Sequence, residues 1–142
     1  MNLPYFAYGS NMNLEQMAVR CPGAQMVSLV RKTGWRYIIN QRGYVTALED
    51  PDALTLGCLW KLSKEHWAAL DRYEGVGEGF YRRVDCEVIT LKSGELVQCI
   101  AYRAANETPG VPTETYVETV ICGARQIGLP MDYLQFLESW RH

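Results

Sequence analysis

Histidine is nearly absent from this chain of 142 residues, with His66 and the terminal His142 the only two. That shortage weighs against a histidine-based relay and against zinc, since no His/Cys group has the spacing of metal ligands. Five cysteines (Cys21, Cys58, Cys86, Cys99, Cys122) stand far apart, without a C-x-x-C pair. An odd number in a chain with no evident secretory start suggests reduced thiols, mostly buried as small apolar residues. No apolar run is long enough for a bilayer, so no membrane partner is expected. No basic cluster occurs and the net charge is −2, which argues against a nucleic-acid partner. Met-Asn-Leu-Pro lacks the basic start and apolar core of a signal peptide, making a cytoplasmic location the expectation. Repeats, linkers and low-complexity segments are missing as well. Residues 1–142 therefore read as one domain, long enough to bury a core without disulfide or metal.

What the chain does contain begins with Tyr5-Phe6-Ala7-Tyr8-Gly9-Ser10-Asn11-Met12-Asn13. Leu3, Tyr5, Phe6 and Tyr8 favour a short strand, and Gly9-Ser10-Asn11 breaks it. Asn13 is placed to cap a helix over Leu14 to Arg20, with Glu15 in its first turn. A strand turning sharply into a helix gathers unpaired N–H groups that suit a carboxylate, a phosphate or a developing oxyanion. An ordinary strand–turn–helix connection would read the same way.

Met26 to Asn40 predicts one long strand, or two broken near Thr33-Gly34. Val45 to Leu48 and Leu54 to Leu62 read as two strands divided by a turn at Asp50-Pro51-Asp52. Ser63 caps a helix that ends at Gly75. Tyr81 to Leu91 alternates, with Val84, Cys86 and Val88 opposite Arg83, Asp85 and Glu87, as in a strand with one wet face. Ser93-Gly94 turns it back along Leu96 to Tyr102. Thr113 caps a further helix, Gly128 ends it, and Pro130 fits the first turn of a last helix, Met131 to Trp140. The whole is α+β, with roughly six strands and three or four helices.

Glu74 is the carboxylate that stands out. It sits at a helix C-terminus, where the backbone dipole disfavours negative charge by about 0.3–1 kcal/mol. Partial burial would push its pKa further, toward the range useful for proton transfer near neutrality. An exposed glutamate before a capping glycine is the plainer reading. Tyr73 and Tyr81 flank the loop that follows and could orient a carboxylate or pack in the core. His66 reads as a partly exposed first-turn residue. Gly75-Val76-Gly77-Glu78-Gly79 mimics a nucleotide-binding spacing but follows a helix and leads into a strand, the wrong context.

Three segments together resemble the gamma-glutamylcyclotransferase, AIG2-like family. They are Tyr5-Phe6-Ala7-Tyr8-Gly9-Ser10-Asn11-Met12; Leu70-Asp71-Arg72-Tyr73-Glu74-Gly75-Val76 with Gly79-Phe80-Tyr81; and Tyr116, Ile121-Cys122-Gly123-Ala124, Gly128-Leu129-Pro130 and Tyr133. They keep the family's order across nearly the whole chain. Met12 stands where leucine is more usual, a volume-conserving change. The resemblance implies a small, mixed, barrel-like sheet flanked by helices. It also implies cyclisation of a gamma-glutamyl group to 5-oxoproline with release of an amino acid or amine, needing no metal or cofactor. Glu74 matches the catalytic position. Tyr8, Gly9, Ser10, Asn11 and Met12, with Tyr81 and Tyr116, are the implied substrate-binding residues. Arg36, Arg82 and Arg83 are possible carboxylate partners, although a surface ion pair is the ordinary role of each. Two alternatives stay open: gamma-glutamyl removal from a specialised metabolite, and a non-catalytic binding or regulatory module. A homodimer is conceivable, with Trp140 either at its contact or packed internally.

Overall fold

The computed structural model describes residues 2–141, so His142 lies outside the described residues. Its sheet is a closed barrel in the order β1-β3-β2-β4-β5. The strands are β1 (Tyr5–Ala7), β2 (Gln25–Ile39), β3 (Val45–Lys61), β4 (Tyr81–Thr90) and β5 (Leu96–Ala104). Neighbours run antiparallel except β1 and β5, whose parallel pairing at Tyr5 and Ile100 closes the barrel. The helices are α1 (Leu14–Arg20), α2 (Lys64–Tyr73), α3 (Glu114–Ile127) and α4 (Met131–Glu138). Among the described residues no helix is long and apolar enough to cross a membrane. The expected mixed, barrel-like α+β architecture is the observed one.

The strand count differs from expectation for a local reason. Val45–Leu48 and Leu54–Lys61 join in one strand of 17 residues, with Leu62 just beyond its end. Thr33 pairs with Leu54 and Trp35 with Glu49, so Gly34 alone faces Asp50 to Ala53. The Asp50-Pro51-Asp52 turn is therefore a wide bulge on a continuing ladder. Pro51 lies exposed on it, where its missing N–H breaks no register. Gly34 likewise bends β2 without ending it.

Hydrophobic burial organises the interior around β1. Phe6 is fully buried and meets Tyr8 and Trp35 at ring-centroid distances of 5.3 and 6.2 Å. Burying such a side chain contributes about 1.5–3 kcal/mol. Helix α3 then presses on the segment after β1 through Gly123. A side chain at Gly123 would put its Cβ 2.5 Å from the Asn13 nitrogen, so only glycine permits this approach. Three predicted caps hold: Asn13 Oδ1 accepts from the Gln16 N–H, Ser63 Oγ from His66 and Thr113 Oγ1 from Tyr116. Gly128 ends α3 at φ 86°, as expected. Pro130 is the N-cap of α4 rather than a residue of its first turn. Trp140 packs internally, with its ring 5.9 Å from that of Tyr37.

Candidate active site

Between β1 and α1 the chain makes a 3-10 turn, Ser10–Met12. The Met12 N–H donates to the Gly9 carbonyl at 3.1 Å, and the Asn13 N–H to Ser10 at 3.0 Å. The Ser10 and Asn11 amides precede the first closing bond and have no partner within the turn. Gly9 makes room for what faces them: a Cβ there would lie 2.2 Å from Val45 Cγ1 and 3.2 Å from the Tyr116 hydroxyl.

Asn11 ties this turn to its surroundings. Its side chain is buried, donates to the Tyr5 hydroxyl at 2.9 Å, and accepts from Gln16 Nε2 at 2.9 Å and Arg20 at 3.1 Å. Its carbonyl accepts from the Trp60 indole at 3.0 Å. Ser10 Oγ accepts from Gln16 Nε2 at 2.8 Å. Asn11 thus holds the turn's shape with bonds that are already made.

The second wall is the end of α2. Glu74 is its C-cap, and Gly75 at φ 65° turns the chain away beneath Phe80. Glu74 and the Tyr8–Asn11 turn line a single cavity of about 530 Å³, together with Tyr81 and Tyr116. Burial raises the Glu74 carboxyl pKa to about 7, against an opposing pull from the Arg20 guanidinium. Burial, reinforced by the Glu74 charge, also pushes the hydroxyls of Tyr5, Tyr8, Tyr81, Tyr102 and Tyr116 upward. They are neutral donors at physiological pH.

Two of these tyrosines share one residue. The Tyr116 hydroxyl accepts from the Val45 N–H at 3.2 Å, and the Tyr81 hydroxyl donates to the Val45 carbonyl at 2.7 Å. Tyr81 has therefore committed its proton. Tyr116 accepts from Val45 and also meets the Ser10 backbone and side chain, which sets its hydroxyl against the turn. Tyr8 has also spent its proton, on the Tyr102 carbonyl at 2.6 Å.

Most expected site residues meet here, but Met12 does not. Its side chain is fully buried in the core, outside the cavity lining, and its amide is bonded to Gly9. The three arginines named from sequence are also elsewhere. Arg36 pairs with Asp50, Arg83 makes a two-pronged bond to Asp71 at 2.9 and 2.7 Å, and exposed Arg82 is absent from the lining. The arginines at the cavity are Arg20, Arg42 and Arg72. Arg20 lies over the Tyr73 ring at 4.6 Å, and Arg42 over Phe80 at 3.8 Å. His66 closes a capping box, its Nδ1 accepting from the Ser63 N–H and its Nε2 2.6 Å from the Pro22 carbonyl, a structural role. Among the described residues no His/Cys/Asp/Glu group could hold a metal ion.

A family profile described as the AIG2-like family matches residues 55–137, a span that holds Glu74, Tyr81 and Tyr116. The gamma-glutamylcyclotransferase of Bos taurus is 30% identical over 95% of this chain and 77% of its own length. The chain belongs to the AIG2-like, gamma-glutamylcyclotransferase family. It is accordingly an enzyme of that class. The human gamma-glutamylcyclotransferase is 28% identical over the same shares of both chains. A solved gamma-glutamyl cyclotransferase structure superposes with a TM-score of 0.90 at 28% identity, covering 96% of this chain and 86% of that one.

Proposed function

We propose that this protein cyclises a gamma-glutamyl group to 5-oxoproline, releasing the attached amino acid or amine, in the cytoplasm. The observation that carries this reading is one cavity shared by a carboxyl poised near pH 7 and a tight turn at the entrance to a helix. The substrate's α-amine attacks its own γ-carbonyl, closing a five-membered ring. Holding one molecule in a reactive shape thus replaces a two-body encounter. Glu74 as carboxylate takes the proton from the α-ammonium. As carboxylic acid it returns that proton to the departing nitrogen, and a group with pKa about 7 does both at neutral pH.

The Asn11 amide, with the Tyr116 hydroxyl set beside Ser10, suits the tetrahedral oxyanion or the substrate α-carboxylate. Asn11, Gln16 and Arg20 would keep that turn in shape. Arg42, exposed at the cavity and stacked on Phe80, suits a carboxylate on the departing group. No step needs a cofactor.

A panel of gamma-glutamyl amino acids, amines and amides, assayed for 5-oxoproline, tests the reading. Equimolar release of 5-oxoproline and the partner amine from at least one of them is expected. Free glutamate as the product would contradict cyclisation. Binding without turnover across the panel would favour the non-catalytic module.

A further inference from the structure

A second cleft lies on the barrel where β2 and β4 part. Those strands pair only at Val30 with Thr90 and Arg31 with Ile89. Beyond that seam Lys32, Trp35, Cys86 and Arg103 line an opening of about 350 Å³, which shares no lining residue with the Glu74 cavity. Cys86 and Cys99 are directly opposed across β4 and β5, with sulfurs 3.5 Å apart. Cys86 is partly exposed to the cleft, whereas Cys99 is fully buried beneath it.

We propose that Cys86 and Cys99 form a reversible oxidation site for hydroperoxides, with Cys86 the attacking thiol and Cys99 the resolving one. The backbone already suits the product. Opposed residues of an antiparallel pair have Cα atoms about 4.5 or 5.5 Å apart, and disulfides span about 4.4–6.8 Å. Access sets the order of events. Only Cys86 faces the cleft, whose lining carries Lys32 and Arg103 together with Glu49, Asp85 and Glu87, Arg103 being paired with Glu49. Pairing with Cys99 lowers the Cys86 pKa, burial and Asp85 oppose it, and Lys32 and Arg103 assist; the Cys99 thiol is pushed up by the same pairing and by burial.

In the first step the Cys86 thiolate attacks one oxygen of hydrogen peroxide. An S–O bond forms, the O–O bond breaks, and the departing hydroxide takes a proton to become water. In the second step the Cys99 sulfur attacks the Cys86 sulfenic acid. The S–S bond forms, the S–O bond breaks, and the hydroxyl leaves as a second water with the Cys99 proton. Two thiols are oxidised by two electrons and the peroxide is reduced to water. A thiol reductant reverses it.

The test treats the reduced full-length protein with equimolar hydrogen peroxide, alkylates the remaining thiols and maps peptides without reduction. The expected first product is a Cys86–Cys99 linked peptide, with two of the five thiols lost and both regained with dithiothreitol. Cys99→Ser should stop at a Cys86 sulfenic acid that dimedone traps, and Cys86→Ser should leave Cys99 unreacted. Alkylated Cys86 and Cys99 alongside an oxidised Cys21 or Cys122 would overturn the proposal, as would dimedone on Cys99. The wild-type map stands without either variant, so a variant that fails to fold leaves the test intact.

Discussion

Arg20, in the last turn of α1, and Glu74, at the end of α2, line one cavity, and the guanidinium restrains the carboxyl's proton affinity without a contact ion pair. Burial outweighs that pull and sets the Glu74 pKa at about 7. Arg20→Met should release the restraint. If ionised Glu74 is the base, kcat/KM rises with pH through this pKa, so the variant's acid limb should move to higher pH. A pH–rate profile reads it, and an unmoved limb would detach Arg20 from Glu74.

Stability should depend on Glu74 in the same pH window. Its folded pKa of about 7 lies above the unfolded value of about 4.3, so the folded state binds the extra proton. The folded protein therefore loses stability as pH rises from the unfolded pKa to the folded one, and carries the full penalty above it. Glu74→Gln removes the buried charge. Its gain in Tm should be larger at pH 8 than at pH 5, and equal gains would mean the carboxylate is well solvated.

Tyr116→Phe and Tyr81→Phe should separate rate from stability. The Tyr116 hydroxyl meets Ser10 at the turn that would hold the oxyanion, so its loss should lower kcat by about 10²-fold, as for other oxyanion donors. The Tyr81 proton is held by the Val45 carbonyl. Losing it should cost about 1–3 kcal/mol through an unpartnered buried acceptor, with the smaller effect on kcat. Denaturant melts beside steady-state kinetics distinguish the pair, and equal kcat losses would contradict the assignment.

Arg42→Met should discriminate by departing group. A gamma-glutamyl amino acid carries a carboxylate there and a gamma-glutamyl alkylamide does not. The variant should lose about 10-fold in kcat/KM on gamma-glutamylalanine, the scale of one exposed charge-assisted hydrogen bond. On gamma-glutamylethylamide it should match wild type. A parallel loss on both would assign Arg42 to the shape of the Phe80 loop.

Local signals in the sequence reached far. Asn13, Ser63, Thr113 and Gly128 each carry their capping role in a side chain or a φ angle, and Glu74 stands out because helix ends disfavour it. Where a bond partner is remote, the residues alone are silent. The Val45 backbone reaches Tyr116 across 71 positions and Tyr81 across 36, and a backbone donor has no identity to read. Arg20 looked like any last-turn arginine, and only the packing of α1 by α2 brings it to Glu74. Pro51 suggested a break because its missing N–H forbids a regular ladder, yet a bulge absorbs it without ending β3. Met12 belonged to a contiguous motif, but the tightness of the 3-10 turn sends its side chain into the core.

The most direct test is 5-oxoproline release by wild type and Glu74→Gln, measured from pH 5 to pH 9 on the best substrate of the panel. The variant keeps the side chain's volume and loses its titrating proton. The expected result is a folded protein with kcat/KM at least about 10²-fold lower, and without the limb near pH 7 that wild type shows. Undiminished turnover by Glu74→Gln would contradict the mechanism.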